Sequence, residues 1–461
     1  MNFSERFERV FRAVLPAPFT IAVLLTLLTM ALALFFTEPA TEESHFLEIL
    51  GYWEQGLWNG PLLVFAVQMM LILVLGHVLA LSPAVSRLIN SLTDRMHTAA
   101  QAAWIVTFST LLVAFFNWGL GLIFGAIIAR KTGERFAQKG KPLNYPLIGA
   151  AGYSGLMVWH GGISGSAPIK VVEEGHIPSL MEGIVPTAQL TELPSRIPFN
   201  ETVFSTMNLT VSILLLTGLP LLMAWLMRKS TTGRINLNIK SVHTEIQTDN
   251  LRGAEKLDHS RIFCLLFAIL ILGYAIYIPF QMQNFTFNFL TPNYINLLLL
   301  GLALLFHGNF ARFLSAVDEA IGGASGILIQ FPLYFGIMGI MKYSGLVGDI
   351  SHFFISISTP TSFPVFTFFS AGLVNVFVPS GGGQWSIQGP ILIQAAEQLG
   401  VSLPKSIMAM AYGDQLTNML QPFWALPLLG ITGLKAREII PYTLLLMLAG
   451  LLLFVGILLI F

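Results

Sequence analysis

The chain has 461 residues, of which 54% are apolar and 10% charged, and its formal net charge is zero. Soluble domains carry about 25% charged residues, so this composition excludes an ordinary water-soluble fold. The single cysteine, Cys264, excludes an internal disulfide and a cysteine-based metal site. No HExxH motif, phosphate-binding GxxxxGKS/T loop or paired carboxylate motif occurs in the apolar segments. We therefore expect that the chain is neither an enzyme nor an ATP-driven pump. We also expect it to bind no metal, no organic cofactor and no nucleic acid.

Apolar stretches that approach the roughly 20 residues needed to cross a bilayer recur along the chain. They cover residues 13–36, 62–81, 203–227, 262–280, 295–306 and 442–461. The first stretch is too long for the apolar region of a secretory signal. It is predicted to be a retained transmembrane span.

Lys and Arg residues orient a membrane protein because they accumulate in its cytoplasmic segments. We assume a cytoplasmic N-terminus and a change of side at each span. Only Lys170, Arg196, Lys342 and Lys405 of the 24 Lys and Arg residues are then external. The predicted external stretch 37–59 is acidic, which agrees with this orientation. The same topology predicts an external C-terminus.

Two regions, residues 108–169 and 369–427, are too rich in Gly, Pro and polar residues for plain spanning helices. Their sequences correspond at an offset of about 260 residues, as expected of paired interrupted segments in transporters with inverted repeats. The corresponding residues are Gly119 with Gly381, Gly121 with Gly383, Gly125 with Gly389, Ile127 with Ile391, and Tyr153 with Tyr412.

These features predict an all-α integral membrane protein made of two inverted-topology repeats. Each repeat is expected to contain a re-entrant helix hairpin and an interrupted transmembrane helix. The predicted units are a first repeat at 1–227, a cytoplasmic linker at 228–260, a connecting span with an external loop at 261–290, and a second repeat at 291–461.

The motifs PSGGGQWSIQGP at 379–390 and AYGDQLTNMLQPFWALP at 411–427 resemble the short-chain fatty acid transporter family of acetoacetate/butyrate permeases. NWGLGL, GGISGSAP and GILIQFPLYFGIM extend the resemblance over essentially the whole chain. The resemblance implies uptake of small monocarboxylates across a bacterial inner membrane. It also implies membership of a larger ion-transporter superfamily with inverted repeats and re-entrant hairpins, whose members move a binding domain like an elevator and commonly form homodimers.

The interrupted segments also predict an anion site on physical grounds. A helix that begins inside the membrane presents free N–H groups and a partial positive charge. No Lys or Arg lies at the predicted hairpin tips, which favours a small, singly charged substrate. The predicted substrate-binding residues are Asn117, Gly119, Gly121, Ser154, Asn375, Ser380, Gly381, Gly382, Gly383, Gln384 and Asn418.

Asp414 is the predicted ion-coupling residue, because an ionisable group inside a membrane segment is costly and functional by default. The alternative is that it only satisfies a broken helix end. Lone membrane histidines such as His77 and His160 are expected to be structural. Tryptophans in membrane proteins usually pack in the interior or anchor the chain at the membrane interface. Four of them are also candidates for lining the alkyl tail of the substrate: Trp118, Trp159, Trp385 and Trp424.

The predicted function is secondary active transport of a short-chain carboxylate with H⁺ or Na⁺ by alternating access. The substrate is expected between residues 380–383 and a helix break near Gly413. A cation would offset the cost of moving an anion into a negative cell, about 2.3 kcal/mol per charge per 100 mV. The alternatives are an anion channel or a carrier of another carboxylate, such as a di- or hydroxycarboxylate. Channel filters usually come from symmetric subunits, whereas these broken segments are paired within one chain.

Overall fold

A computed structural model of the chain describes residues 16–39, 44–182, 185–230, 233, 253–281, 289 and 291–461. Most of the predicted linker at 228–260 and of the predicted loop before residue 291 lies outside the described residues. The described helices are α1 (Pro18–Phe36), α2 (His45–Leu57), α3 (Gly60–Leu81), α4 (Pro83–Asp94), α5 (Ala99–Phe116), α6 (Trp118–Gln138), α7 (Tyr145–Tyr153), α8 (Ser166–Val171), α9 (His176–Met181), α10 (Thr187–Leu190), α11 (Thr206–Lys229), α12 (Glu255–Asp258), α13 (Arg261–Phe280), α14 (Pro292–His307), α15 (Phe310–Ala320), α16 (Ser325–Tyr343), α17 (Leu346–Ser356), α18 (Phe363–Phe377), α19 (Gly381–Leu399), α20 (Leu403–Thr417), α21 (Leu426–Thr432) and α22 (Ala436–Ile460). Short 3₁₀ turns lie at Ser154–Met157 and Ile321–Ala324.

Seven helical segments of the described chain are long and apolar enough to cross a membrane. They are α1, α3, α5, α11, α13, the continuous segment Phe310–Tyr343, and α22. The predicted all-α membrane fold is therefore confirmed. The predicted external stretch 37–59 contains a helix, α2, and does not form a plain loop.

Helix starts follow directly from the sequence, because Asn, Ser and Thr side chains can accept a hydrogen bond from a free N–H of the first turn. Thr98 and Gln101 form a reciprocal capping box at the start of α5. Asn144 caps α7 and Ser205 caps α11, each through one hydrogen bond that its side chain accepts from a backbone N–H of the first turn. These caps fix where the membrane helices begin, independently of their apolar composition.

Each half contains, in the same order, two helices joined by a short turn, a helix that ends in an irregular segment, and a long helix. In the first half, α5 and α6 are joined at Asn117, and α7 is followed by a 3₁₀ turn, an irregular segment and, later, the long helix α11. In the second half, α18 and α19 are joined at residues 378–380, and α20 is followed by an irregular segment, α21 and the long helix α22. The inverted orientation of the two halves stays a prediction.

Glycines bring the hairpin and the interrupted helix into backbone contact in both halves. A Cβ on Gly125 of α6 would overlap the carbonyl oxygen of Gly152 on α7. A Cβ on Gly413 of α20 would overlap the carbonyl oxygen of Phe368 on α18. The helix break predicted near Gly413 is therefore wrong: this glycine permits close packing inside α20, and the chain leaves the helix at Asn418.

Burial separates an inner group of helices from a peripheral one. Residues 406–416 of α20 are buried without interruption. On α13, by contrast, the buried residues are Cys264, Ala268 and Ala275, which lie on one side of the helix facing α14. The interrupted helices thus form the interior, and α13 lies at the edge of the described bundle.

Candidate functional site

The first hairpin ends in a turn that we call tip 1 (Asn117 and Trp118). Asn117 is buried, and its Oδ1 accepts a hydrogen bond from the N–H of Leu120 at 3.0 Å. The N–H of Trp118 donates to Oγ of Ser164 at 2.9 Å. Tip 1 is therefore tied both to its own helix and to the irregular segment after α7.

The second hairpin ends in a longer turn that we call tip 2 (Ser380–Gly383). Oγ of Ser380 accepts a hydrogen bond from the N–H of Gly383 at 3.2 Å. The three glycines form the first turn of α19, so the helix break lies before them and not within them. The N–H groups of Gly381 and Gly382 have no acceptor inside the helix. Gly382 is exposed, and a Cβ there would meet no atom within 4 Å.

Asp414 lies beside His160, a residue of the opposite half. The side chains are 1% and 0% exposed, and Nδ1 of His160 is hydrogen-bonded to Oδ2 of Asp414. The other ring nitrogen, Nε2, accepts a hydrogen bond from the N–H of Ala167 at 3.1 Å. Oε1 of Gln415 accepts from the N–H groups of His160 (3.0 Å) and Gly161 (3.1 Å). The expectation that His160 is a lone histidine is wrong, because it pairs with the predicted coupling residue.

Trp159 connects this pair to both tips. A Cβ on Gly381 would lie 2.7 Å from Cη2 of Trp159, 2.9 Å from Cε1 of His160 and 3.0 Å from Oδ2 of Asp414. The rings of Trp118 and Trp159 lie 6.0 Å apart in an edge-to-face arrangement. The two hairpins, which come from separate halves of the chain, thus meet at the same buried group.

A cluster of amides satisfies the end of α20. Nδ2 of Asn375 lies 2.8 Å from the carbonyl oxygen of Asp414, 3.0 Å from Oγ1 of Thr417 and 2.9 Å from Oδ1 of Asn418. Nε2 of Gln421 donates to Oδ1 of Asn418 at 3.0 Å. The predicted residues Asn375, Asp414 and Asn418 are therefore brought together.

Several buried polar atoms of this group have no hydrogen-bond partner within the described part of the chain. They are Nε1 of Trp159, Oδ1 of Asn375, Oδ1 of Asp414, Nδ2 of Asn418 and Oε1 of Gln421. Buried polar groups in folded proteins are usually satisfied by protein or by ordered water. This concentration of unused capacity is what a site for small polar ligands would show.

Other predicted site residues serve the packing of the helices. Oγ of Ser154 donates to the carbonyl oxygen of Ala151 at 2.7 Å, within its own turn. Gln384 points into its hairpin, where Nε2 donates to Oε1 of Gln388 at 2.6 Å. Gly121 packs against the backbone of Ala114 on the other arm of its hairpin. A Cβ on Gly119 would approach side chains of the neighbouring helices α3 and α14.

An aromatic cluster lies beside tip 1. The rings of Trp118 and Trp424 are 5.2 Å apart, and those of Phe65 and Trp424 are 6.0 Å apart. Phe331 and Phe423 stack at 4.0 Å in the same cluster. Trp385 lies outside this cluster, and its Nε1 donates to Nε2 of His176 in the segment predicted to be external. The cluster gives the site an apolar side next to its polar one.

Sequence reasoning did not assign the neighbours of Asp414 to the site. Gln415, Thr417 and Gln421 follow it in the motif DQLTNMLQ, in which four of the five polar residues are buried and Thr417 is half-buried. That density of amides and hydroxyls in an apolar region was the available signal. His160 had no comparable signal, because its partner is 254 residues away.

Comparison with known proteins identifies the family of the chain. A model of the family described as short chain fatty acid transporter matches residues 2–461. The chain belongs to the short-chain fatty acid transporter family. Two relatives provisionally named short-chain fatty acid transporters come from Escherichia coli (strain K12) and Haemophilus influenzae (strain ATCC 51907 / DSM 11121 / KW20 / Rd). The first is 39% identical over 93% of this chain and 92% of the relative, and the second 37% identical over 93% and 92%.

Among solved structures, the YdaH transporter of Alcanivorax borkumensis covers 96% of this chain and 97% of its own, at 15% identity and a TM-score of 0.39. Membership of the short-chain fatty acid transporter family confirms the resemblance found in the sequence. It also identifies the chain as a membrane transporter.

Proposed function

We propose that this protein is a secondary active carrier that moves short-chain monocarboxylates, such as butyrate or acetoacetate, into the cell with H⁺ or Na⁺. One observation supports the proposal most strongly. The tips of two hairpins from separate halves meet at a buried group of side chains formed by Trp159, His160 and Asp414. Interrupted helices that meet in this way are the usual construction of a transporter site.

The carboxylate would bind at tip 2. The free N–H groups of Gly381 and Gly382 and the hydroxyl of Ser380 can donate to its oxygens, and the start of α19 adds a partial positive charge. Among the described residues, Asp414 is the buried side chain that carries a formal charge, and no Lys or Arg is buried. A site without a fixed cation suits a monoanion better than a di- or tricarboxylate, since each further negative charge would be desolvated without a partner.

The alkyl chain would lie against the aromatic cluster of Trp118, Trp424 and Phe65. Each buried methylene contributes about 0.8 kcal/mol, so a chain of two or three carbons gains useful affinity there. The cluster is closely packed, with neighbouring ring centroids 5.2 and 6.0 Å apart. We therefore propose that longer fatty acids are excluded by size.

Alternating access would require one hairpin to move relative to the group around Trp159. Tip 2 is the better candidate, because Gly382 is exposed, whereas tip 1 is hydrogen-bonded to Ser164. Co-transport of one cation with the carboxylate would make the cycle independent of the membrane potential. It would also remove the cost of about 2.3 kcal/mol per charge per 100 mV.

Uptake of radiolabelled butyrate and acetoacetate into proteoliposomes tests the proposal, with protein-free vesicles correcting for passive entry of the uncharged acid. Saturable uptake driven by an imposed H⁺ or Na⁺ gradient, and inhibited by unlabelled short-chain acids but not by succinate, is the expected result. A non-saturable anion current would indicate a channel. Absence of exchange of any monocarboxylate would contradict the proposed substrate.

A further inference from the structure

The hydrogen bonds of His160 determine which of its ring nitrogens carries a proton. A neutral imidazole has one N–H donor and one acceptor nitrogen. Because Nε2 accepts from the N–H of Ala167 at 3.1 Å, the proton is on Nδ1 and is donated to Oδ2 of Asp414. A second proton on Nε2 would face the N–H of Ala167 and break that bond. The ring is therefore held neutral, and the pair as a whole carries the single negative charge of Asp414.

The other oxygen of Asp414 can bind a proton. Oδ1 is buried and has no hydrogen-bond partner within the described part of the chain. The carboxylate lies in a protein interior where an ionised group is costly unless it is fully paired. Oδ2 of Asp414 accepts one hydrogen bond, from His160, whereas Oδ1 accepts none from the described residues. From this geometry we infer that Asp414 binds and releases the coupling proton at Oδ1, and that His160 is the positioning residue that holds its Oδ2. This inference rests on the proposed function.

Among the described residues, the other ionisable groups on the elements packed around the pair are bonded to other partners or lie toward helix ends. Helix α18 and the 3₁₀ turn Ser154–Met157 pack against α20, which carries Asp414, and neither contains an ionisable side chain. The hydroxyl of Tyr153 donates to the carbonyl oxygen of Asn418, and that of Tyr412 donates to Oδ1 of Asn208, each at 2.9 Å.

Charged groups on the remaining packed helices lie toward their ends. Lys170 of α8 is ion-paired with Glu173 at 3.0 Å. The other helices that surround the pair carry charges only near a terminus: Glu397 on α19, Lys405 on α20, Arg228 and Lys229 on α11, and Arg437 and Glu438 on α22.

Contact with tip 2 couples the proton to the substrate. Gly381 lies against Oδ2 of Asp414 and Cε1 of His160, so a carboxylate bound at the start of α19 would be close to that of Asp414. Two like charges at short distance in a buried site disfavour each other. Addition of a proton forms an O–H bond at Oδ1 and neutralises Asp414, which lets the substrate anion bind. Release of the proton to water on the other side breaks the O–H bond and favours release of the substrate. The His160–Asp414 hydrogen bond is kept throughout.

Exchange of labelled butyrate across proteoliposomes at varied pH tests this inference. In the wild type, the apparent KM should rise by up to roughly tenfold per pH unit once Asp414 ionises, as linkage of one proton to one substrate requires. Asp414→Asn should remove this dependence and abolish accumulation driven by a pH gradient. Asp349→Asn, which removes an exposed carboxylate on α17, is the matched control and should keep the wild-type profile.

Two variants of His160 separate positioning from a merely structural role. The amide nitrogen of Asn can occupy the place of Nδ1, whereas that of Gln extends to the place of Nε2. His160→Gln should therefore move the pH profile of exchange to higher pH, because the ionised carboxylate loses its donor, and His160→Asn should restore it. A structural role alone would lower the rate at every pH without moving the profile.

Infrared difference spectra between acid and alkaline pH give a readout that does not depend on transport. The purified wild type should show a protonated carboxyl band that is missing in Asp414→Asn. Absence of that band, an unaltered pH profile in Asp414→Asn, or exchange that depends on Na⁺ and not on pH would each overturn the inference. Failure of the wild type to exchange any monocarboxylate, with the band present, would instead contradict the proposed substrate alone.

Discussion

Tip 1 and tip 2 occupy corresponding places in the two halves but are built differently. Tip 1 is fixed: Asn117 caps its helix, the N–H of Trp118 is bonded to Ser164, and Gly121 packs against backbone. Tip 2 is partly open, with Gly382 exposed and with Gly381 against the Asp414–His160 pair. The same architecture therefore holds one turn rigidly and leaves the corresponding turn accessible, according to how each turn is hydrogen-bonded and packed.

The largest expected effect comes from the close backbone contact in the first half. Gly125→Ala would place a methyl group into the carbonyl oxygen of Gly152, and overpacking of this kind costs about 1–3 kcal/mol. We expect a clearly lower melting temperature and reduced uptake, measured by thermal unfolding in detergent and by butyrate transport. Gly382→Ala in tip 2 is the control, since its Cβ meets no atom within 4 Å. Equal melting temperatures in the two variants would show that the first half is not fixed in this way.

Asn375→Leu removes the amide that joins α18 to the end of α20. The carbonyl oxygen of Asp414 and the side-chain oxygens of Thr417 and Asn418 would lose a donor. A buried polar group left without its partner costs about 1–3 kcal/mol. The melting temperature and the transport rate should both fall. Ser370→Ala on the same helix removes one hydrogen bond to Gln388. It should destabilise the protein less, because Gln388 keeps its hydrogen bond to Ser351. A larger loss in Ser370→Ala would be incompatible with this account.

Removal of the two helix caps separates stability from binding. Asn117→Ala and Ser380→Ala should each destabilise the protein by about 1 kcal/mol, the usual value of an N-cap. Only Ser380→Ala should also raise the KM for butyrate, because tip 2 is the proposed carboxylate site. Asn117→Ser keeps a neutral capping oxygen and should recover most of the lost stability. A rise in KM for Asn117→Ala, measured by initial uptake rates, would move the substrate toward tip 1.

The smallest expected effect is a pH dependence in the predicted external segment. Nε1 of Trp385 donates to Nε2 of His176 at 3.0 Å. Burial lowers the pKa of His176 below its usual 6.5, so the unfolded chain binds a proton there before the folded protein does. This contribution to stability is present above pH 6.5 and is lost as the pH falls through the window below it. The melting temperature should drop slightly on acidification in the wild type and less in His176→Gln. An equal drop in both proteins would assign the effect to other groups.

The sequence predicted the membrane fold because apolar length and helix caps are local properties. Asn117 and Ser380 mark the tips of the two hairpins within the sequence itself, since a polar N-cap residue followed by glycines indicates the start of a helix. The prediction for Gly413 was wrong because a glycine can end a helix or allow another backbone to approach it, and only the neighbouring Phe368 decides which. The substrate-binding residues and the ion-coupling role of Asp414 remain a prediction, although Asn375 contacts both Asp414 and Asn418.

Local sequence patterns were sufficient to predict the all-α membrane class, the positions of both tips and membership of the short-chain fatty acid transporter family. The tertiary structure alone decided that Asp414 meets His160 across 254 residues and that Trp159 contacts both tips. The physical reason is that helix formation and membrane insertion depend on composition within one segment. The pairing of two buried side chains depends instead on how whole helices pack, and that information is distributed over every contact between the halves.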